Sequence, residues 1–419
     1  MILKKENFNA GKYESDTFIT EKQLVRILDS CPEFKTDLLK IFNVDDKKTT
    51  VLKVGNSKQL IQALHSLDNQ CQKIDLTCKM RDVHLKKLLE GEKATFEIFS
   101  VKDQYLVKKI KSDLLIAETR YNAKSDILDY YNLSKFANYC RDNQYDDLVD
   151  NIQEYLLDKN KTNVDLRNFR IVHHKSDDLF FIRALTSSGD YKDFGINFSV
   201  FVAIKSLANY VEKSQNEIFI DNFQVDDSNV YVSFAFSNKT KINDKIDLSF
   251  SLILENDEVK RSAVSFNGLF KLTFNDKANS GYLYIKPKGL KKDDNYHPVD
   301  LLSYQHRGSV KNVFEKIQEL PDSIDFFIKQ VSEDAKRIAL IKHPDDVRKF
   351  ISNKVKNSKK PEFKVYKEKV FNKLMSVSVD NTFKLFALLR QIEDLFEHDD
   401  VISLNFWRTK LYEALVEKE

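Results

Sequence analysis

Two histidines and two cysteines occupy one short stretch of the chain, as His65-x5-Cys71-x6-Cys78-x5-His84, and imidazole and thiolate are the groups with which zinc is held. A zinc finger needs one ligand pair two to four residues apart, so that a single turn can grip the metal. The spacings here are wider. The pattern reads as buried cysteines with histidines outside them, since free cysteine is among the most buried residue types, and a metal site is the alternative. His173-His174, with Asp177 and Asp178 close behind, offers a hydrolytic metal or an acid–base pair. Neighbours on a strand point to opposite faces, so at most one of these histidines serves a given site, and a solvated turn closing a β pair is the plainer reading. No G-x-S-x-G elbow or local cysteine signature is present, and the nine glycines are too dispersed for a phosphate loop. No cofactor is expected, and the chain leans away from being an enzyme.

Charge offers more. Lys354, Lys356, Lys359, Lys360, Lys364, Lys367, Lys369 and Lys373 stand against only Glu362 and Glu368, while Phe363, Tyr366, Val370 and Leu374 recur at helical spacing. A helix docking that apolar face would turn many lysines toward a phosphate backbone, although a solvated amphipathic helix shows the same pattern. A second cluster combines Lys286, Lys288, Lys291, Lys292 and Arg307 with Tyr282, Tyr284 and Tyr296. Rings that stack on bases beside lysines that follow phosphates suit single strands, whereas Tyr282 and Tyr284 on one strand face can equally line a sheet. Over the whole chain 67 Lys and Arg nearly cancel 64 Asp and Glu, so any nucleic-acid contact must be local.

The elements that would position these groups fall into three parts. Residues 1–160 read as a mainly helical domain, with Leu24, Ile27 and Leu28, then Leu60, Ile61, Leu64 and Leu67 after Ser57, at helix spacing, and a second helical block over 113–157. A small hairpin is expected from 95–99 and 104–107 around Lys102-Asp103. Residues 161–290 read as an α+β domain: strands at 169–172, 179–185, 217–223, 230–236, 247–254, 262–274 and 281–285, with one helix at 197–213 covering a central antiparallel sheet. Residues 291–419 return to helices, with Pro321 and Pro344 placed as first-turn prolines and a further helix over 361–375. Four scattered cysteines, and no apolar run of membrane-spanning length, lead to the expectation of a cytoplasmic protein without disulfides.

Arg183-Ala184-Leu185-Thr186-Ser187-Ser188 with Tyr191 and Asp193 resembles the opening motif of an uncharacterised phage/plasmid-like protein domain family. Asn256-Asp257-Glu258-Val259-Lys260 is similar to that family's "N-S-E-V-G" turn. His306-Arg307-Gly308-Ser309 resembles its short His-containing element, and Asn381-Thr382 with Phe383 and Leu385 its late helix. The resemblance spans roughly residues 165–419. The family's C-x-N-G element departs, since Asn267-Gly268 comes too soon and follows Phe266. The resemblance implies a gene of a mobile element working near DNA replication, recombination or host conflict, and implies no reaction. At these positions Arg183, in an apolar strand, needs a carboxylate if it faces inward, with Asp193 or Glu258 as partner, and Asn256 and Asp257 fit turn caps.

The resulting expectation is a non-catalytic nucleic-acid-associated protein, meeting single-stranded DNA more readily than duplex. The alternative is a protein-interaction or scaffold factor, self-associating or engaging a phage or host protein.

Overall fold

In a computed structural model the described residues are 3–8, 13–44, 49–91, 93–159, 165–187, 194–214, 216–259, 264–276, 279–287, 301–304, 310–358, 363–396 and 401–417. The fold is α+β, a central antiparallel sheet with helical N- and C-terminal regions. Its strands run in the order Lys4–Asn7, Ile218–Val225, Asn229–Asn243, Ile246–Asp257, Val264–Asp276 and Asn279–Ile285, and Leu302–Tyr304 pairs with the start of Val264–Asp276. Along Ile246–Asp257 the buried positions Ile246, Leu248, Phe250, Leu252 and Leu254 alternate, as a strand with one face on the core requires.

Helix Ile196–Ser214 is the hub of this body. Almost every side chain from Ile196 to Val211 is buried, because neighbours surround it on all sides. The N-terminal elements lie against it through Phe34, which contacts Phe194 and Phe198, and its one deeply buried cation, Lys205, pairs with Glu21. Helix Val310–Ile338 packs on the sheet through Phe327, whose ring contacts Phe250 and Phe270. Gly268 is required beneath it, since a Cβ there would overlap the Phe327 ring. The C-terminal helices Pro344–Asn357, Lys367–Met375, Thr382–Glu393 and Val401–Glu417 complete the body.

Residues 71–187 form a second unit with its own core, set into the chain between the two parts of the first. Its sheet runs Cys71–Lys79, Leu166–His174, Leu179–Ser187, Leu115–Thr119, Ala94–Ile98, Val83–Leu88 and is antiparallel apart from the pairing of Leu115–Thr119 with Leu179–Ser187. Helices Ala123–Asp129, Ser134–Asn143 and Asp146–Lys159 accompany it. The buried Gln153 ties the last to strand Val83–Leu88, accepting from Leu85 N at 3.2 Å and donating to Val83 O at 2.6 Å.

Several expectations change here. The strands over 166–187 belong to this second sheet, and a boundary at residue 160 would divide it, because Cys71–Lys79 pairs with Leu166–His174. The expected hairpin is absent: 104–107 lies in helix Gln104–Ile110, whose N-terminus Asp103 caps by accepting from Leu106 N at 2.9 Å. The block 113–157 contains strand Leu115–Thr119 before its helices. Pro321 lies inside helix Val310–Ile338 and not at a helix start. Its ring removes one backbone donor, and the apolar stripe through Ile317, Leu320, Ile324 and Phe327 carries the helix past it. Pro344 does open its helix, and Pro361 lies outside the described residues. Among the described residues no helix is long and apolar enough to cross a membrane.

Candidate functional site

The two units meet in a buried polar junction that begins with two turns of the larger sheet. Between Ile218–Val225 and Asn229–Asn243, Asp226 Oδ1 accepts from Ser228 N and Asn229 N, both at 2.7 Å, forming a self-bonded Asx turn that presents Asp227. Asn229 lies opposite Asp257, and Glu258 N donates to Ser228 O at 2.8 Å, so the second turn is latched to the first. Asp257 Oδ1 accepts from Val259 N at 2.7 Å, the local cap its sequence suggests.

Cations from the inserted unit receive both carboxylates. Glu258 accepts from Lys73 Nζ at 2.8 and 2.9 Å, from Arg183 Nη1 at 2.8 Å and from Ile196 N at 2.8 Å. Arg183 Nη1 also donates to Asp227 O at 2.7 Å. Arg170 Nη1 donates to Glu258 O at 2.8 Å, and its Nε lies 3.2 Å from Asp75 Oδ1. Asp227 accepts from Arg120 Nη1 at 2.9 Å, Tyr121 OH at 3.1 Å and Ser228 Oγ at 2.8 Å, and His174 Nε2 lies 3.2 Å away. Arg120 in turn rests on the face of Phe181, 3.5 Å from the ring centroid.

Burial alone would raise the pKa of Glu258, but Lys73, Arg183 and Arg170 outweigh it and hold the carboxyl well below the usual range. Asp227 follows the same logic: burial opposes its ionisation, while hydrogen bonds from His174 and Ser228 with the charges of Arg183 and Arg120 favour it. Both therefore stay ionised and fully engaged. Beside them burial, followed by the charge of Asp227, pushes the Cys71 thiol up to about 11, which keeps it protonated and a poor nucleophile. A cleft of about 550 Å³ adjoins the junction, and six acidic side chains among its lining outnumber three basic ones. That balance repels a polyanion. The junction is chemically a joint, fixing one unit on the other through paired charges, although among the described residues Arg183 Nε and Nη2 have no hydrogen-bond partner.

Arg183 and Glu258 are thus brought together, as an inward-facing arginine demands. Tyr191, Asp193 and His306 lie outside the described residues. Asn256 Nδ2 reaches across the body, donating to Phe194 O at 2.9 Å and Ser199 Oγ at 3.1 Å and anchoring the start of the hub helix. Asn381 caps helix Thr382–Glu393, accepting from Lys384 N at 2.9 Å. Sequence reasoning missed Lys73, Arg120, Tyr121, Arg170 and Asp227. A legible signal existed in Arg170, embedded in the apolar strand Phe169-Arg170-Ile171-Val172 as Arg183 is in its own, and in the polar run Asp226-Asp227-Ser228-Asn229 between apolar strands.

His173 and His174 do point to opposite faces, yet neither is solvated. His174 enters the junction, while His173 is 1% exposed, stacks on Phe180, and lies 2.7 Å from both Tyr105 OH and Asp178 Oδ1. Cys71 and Cys78 are seven apart on one strand and so face opposite ways, and both are buried. Among the described residues no group of three or more His, Cys, Asp or Glu is placed to hold a metal.

The lysine-rich region spans helix Pro344–Asn357, a turn over 363–366 and helix Lys367–Met375, so the expected helix over 361–375 is helical only from Lys367. Phe363, Tyr366, Val370 and Leu374 are all buried, as their spacing requires, leaving Lys364 and Lys369 exposed and Lys367 and Lys373 half-buried. Lys367 donates to Ser358 O at 3.0 Å. On helix Pro344–Asn357, Lys356 is exposed and Lys354 pairs with Glu417. Lys359 and Lys360 lie outside the described residues, as do Lys288, Lys291, Lys292, Tyr296 and Arg307 of the second cluster. Lys286 belongs to no surface patch: it is buried, 3.5 Å from Glu255, where the chain passes beneath helix Val401–Glu417. Tyr282 and Tyr284 are already covered by internal cations, Arg390 standing 4.8 Å from the first ring and Arg408 4.5 Å from the second.

Between helices Pro344–Asn357 and Val401–Glu417 an apolar cleft of about 540 Å³ opens, lined by Phe350, Phe363, Phe406 and Trp407 with Lys354 and Lys410. Compared with protein-family models, with curated proteins and with solved structures, the chain matches none.

Proposed function

We propose that this is a non-catalytic, nucleic-acid-associated protein that holds single strands on its C-terminal helices. The reading rests on one observation: Phe363, Tyr366, Val370 and Leu374 dock inward and leave Lys364 and Lys369 exposed, with Lys356 exposed on helix Pro344–Asn357, beside a cleft lined in part by Phe350 and Phe406. Lysines following phosphates next to rings that accept bases are the elements of sequence-tolerant single-strand binding. Lys286 itself, buried beside Glu255, does not contribute. The resemblance to the phage/plasmid-like family supports placing the protein in a mobile element, near DNA replication or recombination, in the cytoplasm.

The test is a titration of the full chain against labelled single-stranded and duplex DNA at two salt concentrations. Each phosphate contact on a single strand is expected to steepen the log–log salt dependence by about 0.7. The triple change Lys356→Glu, Lys364→Glu, Lys369→Glu should abolish most of that slope. Absence of binding at low salt refutes the reading.

A second reading, protein interaction, is favoured by the inserted unit. Tyr139, Tyr145 and Tyr155 are 57%, 49% and 61% exposed, and Tyr139 lies against Phe136 and Tyr145. Exposed aromatics of this kind anchor protein interfaces. Salt-tolerant association that Tyr139→Ala and Tyr155→Ala remove would support it over strand binding.

A further inference from the structure

The inserted unit leaves four large side chains of two neighbouring helices in solvent. Tyr139 belongs to helix Ser134–Asn143, Tyr145 to the turn after it, and Leu148 and Tyr155 to helix Asp146–Lys159. Leu148 is 44% exposed. It stands two helical turns before Tyr155, so the two share one face, about 10 Å apart along the axis. The ring of Tyr139 lies 6.4 Å from that of Tyr145, which brings the two helices into one surface. Exposed apolar groups gathered in this way mark an interaction site.

The surface is also acidic. Residues 134–159 hold six acidic side chains against three basic ones, and Arg141 is already engaged by Asp142 at 2.9 Å. Asp147 and Glu154 are exposed, and among the described residues neither has a hydrogen-bond or ion-pair partner. Each precedes one member of the Leu148 and Tyr155 face by a single residue, which places both carboxylates along its flank. Lys159 Nζ, 5.5 Å from the Tyr155 ring centroid, shows that ring receiving a cation.

The chain itself supplies the complement. Residues 344–375 hold ten basic side chains against four acidic ones. Lys364 and Lys369 are exposed, and among the described residues neither makes a hydrogen bond or an ion pair. Apolar side chains stand in solvent before and after this stretch of lysines, Val365 at 71% exposure, Met375 at 50% and Val377 at 45%. Lysines between exposed aliphatic groups match carboxylates beside exposed rings, both in charge and in the apolar area each leaves in water. The whole chain carries a formal net charge of only +3, so two copies repel weakly and the opposite patches decide their approach.

We infer that the face formed by Tyr139, Tyr145, Leu148 and Tyr155 on one copy docks on the Lys364 and Lys369 face of a second copy. The inference rests on the protein-interaction reading and deepens it by naming the partner. The two faces differ, so the contact is heterologous: every added copy leaves one face of each kind open, and assembly passes beyond dimers unless a ring closes. The rings hold the copies together while the charges guide their approach, so salt slows association more than it speeds dissociation. The same lysines carry the proposed strand contact, which makes single-stranded DNA and a second copy competitors.

Sedimentation velocity of the full chain, from micromolar to near-millimolar concentration, should show dimers and larger species growing with concentration. Tyr139→Ala with Tyr155→Ala, or Lys364→Glu with Lys369→Glu, should each weaken that association about fivefold or more, and thermal melting checks that these surface variants fold. Each double variant keeps the face that the other has lost. Mixed together, the two should form a dimer and stop there. An oligothymidylate should disperse the wild-type species.

A chain that stays monomeric overturns the inference and leaves the protein-interaction reading standing for a different partner. Self-association that the tyrosine changes leave intact overturns both. Self-association that only the lysine changes leave intact, or a mixture of the two double variants without a dimer, overturns the inference alone. Assemblies that persist while the oligothymidylate is bound through Lys364 and Lys369 overturn it as well.

Discussion

Replacing Glu258 by glutamine keeps the shape of the junction and removes its central charge. The wild-type carboxylate is 2% exposed and faces Arg183, which is fully buried, and Lys73, whose side chain is 33% exposed. Lys73 can turn toward water once its partner is neutral, so its share is small. Arg183 cannot, and Arg170, bonded to the Glu258 carbonyl, adds a second enclosed cation. Removing one member of a buried pair costs about 3–5 kcal/mol, most of it from the charge left behind. The sign of the pH dependence follows from the direction of the shift. Glu258 and Asp227 are both held below the ordinary carboxylate range. The stability they contribute is therefore full above about pH 4 and is lost as the pH falls through their lower folded values. Urea unfolding of Glu258→Gln at pH 7, followed by far-ultraviolet circular dichroism and by Trp407 emission, should show that loss, and limited proteolysis should cut residues 71–187 first. The variant should also lose less stability than wild type on acidification below pH 4. A cost under about 1 kcal/mol at pH 7, or an unchanged acid profile, would refute the view that these charges hold the two units together.

Gly268→Ala should destabilise the protein by about 1–3 kcal/mol, the usual cost of overpacking, because its methyl group would overlap Phe327. Adding Phe327→Leu should recover part of that loss in a double-mutant cycle, and strict additivity would disprove the contact. Asn381→Ala should cost about 1 kcal/mol in thermal or urea unfolding by removing the cap on Thr382–Glu393. Burial pushes Asp221 up to about 6, and among the described residues its Oδ1 has no hydrogen-bond partner. The folded state thus binds this proton more tightly than the unfolded chain does, so a penalty grows from about pH 4 upward and is complete above about pH 6. Asp221→Asn should raise the urea midpoint at pH 8 and leave it unchanged at pH 4.

Periodicity made the C-terminal helices and the strands of the larger sheet legible. Val370 and Leu374 lie on one face of helix Lys367–Met375, with Phe363 and Tyr366 buried in the turn before it, and Ile246, Leu248, Phe250 and Leu252 alternate as a half-buried strand must. The Arg183–Glu258 pair was legible for an electrostatic reason, since an inward guanidinium needs a counter-charge. The inserted unit was not legible. Strand Cys71–Lys79 mixes Gln72, Lys73, Asp75 and Thr77 with its apolar residues because one of its faces meets the charged junction and solvent, which blurs the strand pattern. Gln104–Ile110 looked like a hairpin arm because Lys102-Asp103 resembles a turn, whereas Asp103 acts as a helix cap. The junction itself joins residues over a hundred positions apart, such as Arg120 and Asp227, and local spacing carries no record of that pairing.

The most direct test of the nucleic-acid account is photocrosslinking of the full chain to a single strand carrying bromodeoxyuridine, with the attached peptides identified by mass spectrometry. The account predicts adducts at or beside the half-buried Phe350 and Phe406, suppressed by Lys356→Glu, Lys364→Glu, Lys369→Glu. Adducts confined to the inserted unit, or none at low salt, would contradict it.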